Sequence, residues 1–256
     1  MSFESFVGFR FLKWNKENRF LSLVTLISSL GVALGVAVLI VVLSVIDGYE
    51  NVMKEKILGA NAHLILFNSS GSGKISSYQS ISKDLLKVEG VERADPFNYI
   101  EAMASKGMKR QGIVIKGILP NYLDVIKGFS KLQINGDFFS NKKNIIIGKE
   151  LASELGVSLG DTLKCLIPKT ENNTPMALPK ILSFRIAGIF DSGMYEWDRS
   201  LTYTSLATVS TITGMKQVVS AVEIRIDDPD SVDKIEEKIR NKLRYPYYTQ
   251  TWKRMN

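Results

Sequence analysis

From Phe20 to Ile46 the chain runs 27 residues without a single Asp, Glu, Lys or Arg. About 20 apolar residues cross the ~30 Å hydrocarbon core of a bilayer, so this stretch reads as one transmembrane helix with length to spare. A helix buried in a soluble core normally keeps a polar stripe, and this one has none. A cleaved leader has an apolar core of about 7–15 residues followed by a small-residue cleavage site. This run is longer and leads into Ser44-Val45-Ile46-Asp47-Gly48-Tyr49, which offers no such site. A retained span fits both its length and its exit.

The flanks set an orientation. Arg10, Lys13, Lys16 and Arg19 precede the span against Glu4 and Glu17, whereas Asp47 and Glu50 follow it. The positive-inside bias therefore places residues 1–19 in the cytoplasm and everything after Ile46 outside it. Phe3, Phe6, Val7, Phe11 and Trp14 recur at helical spacing, which predicts an amphipathic helix on the membrane surface over 1–19. Within the span, Gly31 and Gly35 form a small-x-x-x-small pair. Such a pair either marks a helix–helix contact or reflects the general abundance of glycine in membrane helices. Beyond the span, Ile46, Tyr49, Met53 and Ile57 keep a helical apolar stripe up to Gly59. The helix is thus expected to continue as a stalk over 47–60, weakened at Gly48.

The remainder reads as an ordinary globular sequence, since the whole chain is 45% hydrophobic and 23% charged. Its net charge of +7 raises the question of nucleic acid, but basic residues alternate with acidic ones, as in Lys234-Ile235-Glu236-Glu237-Lys238. No long basic run interleaved with aromatics exists, so no nucleic-acid groove is indicated.

Periodicity then gives an α+β fold. A strand is predicted over Ala62 to Phe67, a helix over 77–88 with Ile81, Leu85 and Leu86 on one face, and two alternating strands near 91–105 and 108–118 about the turn Lys106-Gly107. A matching unit closes the chain: strand Val218 to Ile226, a helix Ser231 to Leu243 capped by Ser231, and strand Tyr247 to Trp252. These halves, 61–120 and 217–252, predict a split βαβ-type domain carrying an inserted β-rich lobe over 121–216. Inside the lobe lie strands near 144–148, 161–167, 183–190 and 200–205, and a short helix from Lys149 to Gly156. Between them, residues 168–181 contain Pro168, Pro175 and Pro179, which predicts a long projecting loop with Met176 and Leu178 at its tip. Such a loop reads as a binding element or as a plain connector.

Chemistry is sparse. Cys165 is the sole cysteine, set in an apolar run, so no internal disulfide forms and a buried small hydrophobe is expected. His63 is the sole histidine, which leaves no histidine pair for a metal and no triad. There is no GxxxxGK[ST] phosphate loop. Acidic pairs such as Asp227-Asp228 fall in turns. No catalytic residue, metal site or cofactor is indicated, and the chain is not expected to hydrolyse ATP itself.

The span ending Val42-Leu43-Ser44-Val45-Ile46-Asp47-Gly48-Tyr49-Glu50 is followed by Lys56-Ile57-Leu58-Gly59-Ala60-Asn61-Ala62-His63. Further on come Gly117-Ile118-Leu119-Pro120, Ile145-Ile146-Ile147-Gly148-Lys149-Glu150-Leu151-Ala152, Leu155-Gly156-Val157 and Gly160-Asp161. As a set, these resemble the LolC/LolE permeases of lipoprotein-releasing ABC transporters, within the wider MacB-like superfamily. The resemblance implies an inner-membrane subunit with a cytoplasmic N-terminus and a periplasmic domain. It implies a cytoplasmic ABC ATPase, a second permease subunit in a homo- or heterodimer, lipoprotein cargo and a periplasmic lipoprotein carrier as partners. LolC-type members hold the carrier by a hook loop containing Thr-Pro-Met, matched here by Thr174, Pro175 and Met176, with a basic residue at its base matched by Lys164. The polar pair that follows the hook in the family falls on Leu182 and Ser183 and is not matched. The family's first helix lines a lipid-accessible cavity at its outer end, which maps to Val42, Val45 and Ile46; these contact acyl chains or simply face membrane lipid. Family members continue into three further membrane helices after a segment like Thr251-Trp252-Lys253-Arg254, so a fragment, a truncated reading frame or half of a split permease is expected. The second reading is a MacB- or FtsX-like mechanotransmission subunit acting on an efflux partner or a cell-wall hydrolase. A single-span sensor or structural anchor is a third, more distant one.

Overall fold

A computed structural model describes residues 19–71, 73–141, 143–168, 179–215 and 217–255. The segment 1–18, and with it nearly all of the expected surface helix, lies outside the described residues, as do Thr174, Pro175 and Met176. Two compact units divide the chain, residues 1–55 and residues 56–256.

The first unit holds most of helix α1, which spans Arg19–Ala60 and runs unbroken through Gly48 and Gly59. Its window Leu23–Glu50 is long and apolar enough to cross a membrane. Side chains along it, Val42, Val45 and Ile46 among them, are exposed. That is the state expected of a surface whose solvent is lipid rather than water.

The second unit is a mixed α/β domain. Its first sheet uses β1 (Leu64–Asn68), the first half of β3 (Val91–Lys106), β11 (Ala221–Ile226) and β12 (Tyr247–Thr251), in the order β12-β1-β11-β3 with every neighbour antiparallel. Two helices cover one face, α2 (Tyr78–Leu85) and α7 (Val232–Lys242), and alternation explains why. Leu64, Leu66, Val222, Ile224 and Ile226 point to one side and pack with Ile81, Leu85, Val232, Ile235 and Ile239. Leu86 does not join them; the helix ends at Leu85, and Leu86 turns out to solvent. Ser231 does not cap α7 either, because its hydroxyl donates to the Asp228 carbonyl. Asp228 does the capping, accepting the Asp230 N–H ahead of the preceding 3-10 turn.

The second half of β3 leaves this sheet for another structure. Beyond Asn98 it pairs with β4 (Lys109–Ile118) about the Gly107 turn, whose φ of +61° suits glycine. From there the pairing runs through β9 (Leu201–Ser205), β6 (Asn144–Gly148), β8 (Lys180–Asp191) and β7 (Thr162–Ile167) and back to β3. The six strands therefore close a ring, and two of them, β3 and β4, come from outside the 121–216 insert expected from sequence. Ring closure removes the open edges that a six-stranded lobe would otherwise carry. Inward side chains Ile100, Ala102, Ile113, Ile145, Leu163, Cys165 and Phe184 fill it, and α4 (Lys149–Leu155) packs Leu151 and Leu155 against them.

A third apolar cluster lies outside the ring. There α3 (Leu123–Phe129) packs Val125 and Ile126 with Phe138, Ile146, Phe190 and Tyr203. Strand β5 (Lys131–Ile134) adds an edge to β8. Two short helices, α5 (Tyr195–Ser200) and α6 (Leu206–Thr213), flank β9, and a two-residue pairing joins β2 (Ile75–Ser76) to β10 (Val218–Val219). The predicted strand over 218–226 is thus broken at Ser220, whose N–H donates to the Asn98 side chain at 2.7 Å. The chain closes on a single turn, α8 (Trp252–Met255).

Candidate functional site

The sequence places interest on the loop between β7 and β8, and the ladder beneath it defines its stem. The two strands pair without interruption from Thr162↔Arg185 to Ile167↔Lys180. Lys180 and Ile181, expected in the loop, belong to strand β8; Pro179 lacks an N–H to donate but leaves the ladder free to start one residue later. The connection therefore spans residues 168–179, with exposed Pro168 and Pro179 at its two ends. Its tip, with Thr174, Pro175 and Met176, lies outside the described residues.

Alternation fixes what the stem shows to solvent. On β7, Leu163, Cys165 and Ile167 point into the ring, whereas Thr162, Lys164 and Leu166 point outward. Lys164 is exposed, and its carbonyl accepts from the Ser105 hydroxyl at 3.3 Å. Cross-strand neighbours put Met103, Leu166 and Ile181 in one outward row, and Ser105, Lys164 and Ser183 in the next. Ser183 thus stands beside Lys164, while Leu182 faces inward against the ring core. Behind this face, burial pushes the Cys165 thiol up to about 12, so it stays protonated and inert.

Two of the matched motifs owe their glycines to close packing. A Cβ on Gly148 would overlap the carbonyl oxygen and Cα of Asp198. Asp198 is buried and accepts from the Ser192 N–H and hydroxyl, which fixes the turn into α5. A Cβ on Gly117 would stand 2.8 Å from Val209 Cγ2, where α6 crosses β4. Both glycines are packing requirements.

Sequence reading missed a buried polar cluster where the first sheet meets the ring. Lys116 Nζ donates to Glu223 Oε1 at 2.6 Å and to Tyr122 Oη at 2.8 Å, and Tyr122 Oη donates to Glu223 Oε2 at 2.6 Å. The ammonium also lies 4.5 Å from the Tyr122 ring centroid and 4.8 Å from that of Phe97. Burial pushes the lysine below its ordinary value of 10.5, opposed by the attraction of Glu223, and pushes the Tyr122 phenol well above 10. The cluster borders a cleft of about 340 Å³ lined also by Tyr99 and Trp197. Its trace in the sequence is a charge at an alternating position inside an apolar strand, Val222-Glu223-Ile224, which ordinarily signals a solvent face.

A second missed cluster holds the final turn of α1. Arg225 Nη1 donates to the carbonyls of Gly59 at 3.1 Å and Leu58 at 3.4 Å, groups that have no partner within a helix end. His63 is buried beside it; its Nδ1 accepts the Ile226 N–H at 3.0 Å, and it bonds to the Leu58 backbone. Burial and then the Arg225 charge lower its pKa below 6.5. The imidazole is therefore neutral, with its proton on Nε2. Among the described residues, no three His, Cys, Asp or Glu side chains gather to hold a metal ion.

Comparison with known proteins gives relatives over nearly the whole chain. It is 29% identical over 253 residues to the lipoprotein-releasing system transmembrane protein LolC of Xylella fastidiosa (strain 9a5c), covering 98% of this chain and 60% of that protein. It is 26% identical over 252 residues to the transmembrane protein LolE of the same system in Haemophilus influenzae, covering 96% of this chain and 60% of that protein. The chain thus spans about 60% of the length of these curated relatives. Both agree with the LolC/LolE resemblance read from the motifs. The crystal structure of the periplasmic region of MacB from Actinobacillus actinomycetemcomitans superposes with a TM-score of 0.49 at 16% identity, over 77% of this chain and 92% of that one. The family model is decisive: the MacB-like periplasmic core domain matches residues 25–242, and the chain belongs to that family.

Proposed function

We propose that this chain is the membrane-anchored, carrier-binding part of a lipoprotein-releasing ABC transporter permease of the inner membrane. The observation that carries the reading is the β7–β8 stem. The β7–β8 ladder is paired throughout and belongs to the closed ring, its connection over 168–179 carries the Thr174-Pro175-Met176 sequence, and Lys164 stands exposed on the outer face of the stem. A rigid stem lowers the ordering cost of a projecting loop on binding. The carrier is a periplasmic lipoprotein-binding protein, gripped by the hook tip and by Lys164 at its base.

The rest follows from this assignment. The N-terminus is cytoplasmic and the α/β domain periplasmic. A cytoplasmic ATPase supplies the energy and a second permease subunit completes the membrane part. In a straight helix, 11 residues return to within about 20° of the starting direction. Val42 and Ile46 thus lie in line with Gly31 and Gly35, so one helix face combines a small-residue seam for a neighbouring helix with apolar side chains for the cargo's acyl chains. The chain itself is not a catalyst in this scheme.

The MacB/FtsX-like alternative draws on a different observation. Arg225 and His63 fasten the final turn of α1 to β11, as a part that relays motion requires. The two readings separate on one experiment. Replacing residues 168–179 by a Gly/Ser linker of equal length in the full chain is expected to abolish binding of the lipoprotein carrier from the same bacterium. Unchanged carrier affinity would remove the hook assignment and favour the relay.

A further inference from the structure

The outer face of the ring extends well past the hook stem, and its composition follows from register alone. Ser105 pairs with Arg110 on one side and Lys164 on the other, and Thr162 pairs with Arg185, so Arg110, Lys164 and Arg185 share this face with the apolar row Met103, Leu166 and Ile181. The three cations are exposed, and among the described residues their side chains make no hydrogen bond or ion pair. Ile181 is 67% and Met103 40% exposed, which leaves an apolar strip open with Lys164 on one side and Glu101, the acid on this face of β3, on the other. At the far end, the tip of the β3–β4 hairpin carries Met108, 97% exposed, next to the exposed Lys109 and Arg110. The hairpin behind it pairs over nine consecutive positions without irregularity, from Asn98↔Gly117 to Lys106↔Lys109. An apolar side chain held out by a stiff, unbroken ladder, beside Lys109 on one face and Arg110 on the other, forms a preorganised contact point. Among the described residues, none packs over Met108.

We infer that the β3–β4 hairpin is a second grip on the same partner. The docking surface continues from the hook stem across the Met103–Leu166–Ile181 row to Met108, and it fits a protein surface with an apolar patch rimmed by Asp and Glu. This rests on the carrier-binding reading and specifies the partner's chemistry: the carrier's contact face is acidic at its margin. Charge complementarity of this kind acts mainly on encounter rate and orientation, and it fades with salt.

The test uses the full chain in nanodiscs of zwitterionic phosphatidylcholine, with the purified cargo-free carrier of the same bacterium as probe, by biolayer interferometry at two salt concentrations. The hairpin variant Met108→Asp/Lys109→Glu/Arg110→Glu is expected to weaken binding by about tenfold or more and to flatten its salt dependence. Lys109→Ala/Arg110→Ala, which leaves the turn and its ladder intact, is expected to weaken it by about threefold and guards against a folding defect in the first variant. Affinities within twofold of the parent for both variants overturn the second grip, even where the Gly/Ser hook replacement abolishes binding. Loss in the hairpin variants with an unaffected hook replacement keeps the hairpin surface and removes the hook. Light scattering decides the remaining possibility: hairpin variants that change self-association but not carrier binding make this a contact between copies of the chain and overturn the proposal.

Discussion

Replacing Glu223 by Leu removes the carboxylate 2.6 Å from Lys116 Nζ and leaves a buried ammonium facing aromatic rings. Breaking a buried pair in this way typically costs about 3–5 kcal/mol, because one charge stays out of water without compensation. In a unit of the size of residues 56–256, each kcal/mol lowers Tm by about 2–4 °C, so a fall of roughly 6–20 °C is expected. The deficit should shrink as pH rises. Burial already holds Lys116 below its ordinary value, so the unfolded chain binds the proton more tightly than the folded one, and stability increases with pH. Removing all three polar groups together, as Lys116→Met/Tyr122→Phe/Glu223→Leu, leaves no orphan. That triple variant should lie within about 1 kcal/mol of the parent or above it. Trp197 lines the same cleft, so its fluorescence during thermal unfolding in detergent at pH 7 and pH 9.5 reports the seam directly. A single variant losing less than about 1 kcal/mol at pH 7, or a triple variant as unstable as the single, would refute the reasoning.

Two further outcomes are expected from the packing. Gly148→Ala forces the Asp198 turn to move, so it should destabilise the ring by several kcal/mol, on the scale of about 1–3 kcal/mol for overpacking plus the disturbed Asp198 hydrogen bonds; chemical denaturation measures it, and a loss below about 0.5 kcal/mol contradicts the close approach. His63 is neutral in the fold with its pKa lowered, so its contribution is fully present above pH 6.5 and is lost as pH falls through the lowered value. Hydrogen exchange at the Ile226 amide should therefore quicken as pH falls below 6.5, after correction for intrinsic rates, and His63→Gln should flatten that dependence.

What the sequence made legible followed periodicity. The 27-residue uncharged run, the hairpin about Lys106-Gly107 and the helix carrying Val232, Ile235 and Ile239 each announce themselves within a local window. The hook stem was visible through its prolines, with its boundary two residues too generous, because Pro179 stops pairing only at its own position. What escaped depends on distant neighbours. Helices over 123–129, 195–200 and 206–213 are one or two turns each and exist through the surfaces they cover. Ring closure hinges on β3 changing partners near Asn98, which no local pattern announces. Lys116 and Glu223 look solvent-facing by alternation, yet both are buried and both bond to Tyr122, which the chain brings back over them only after β4 has ended.

The central claim is that the segment 168–179 grips a lipoprotein carrier. A photocrosslinking amino acid placed at Met176 of the full chain in its native cells tests it most directly, with Asp124, an exposed position on α3, as a control. The expected result is one crosslinked species from position 176, identified by mass spectrometry as the periplasmic lipoprotein carrier, and none from position 124. A crosslink from position 176 to an efflux partner or a cell-wall hydrolase instead would contradict the account.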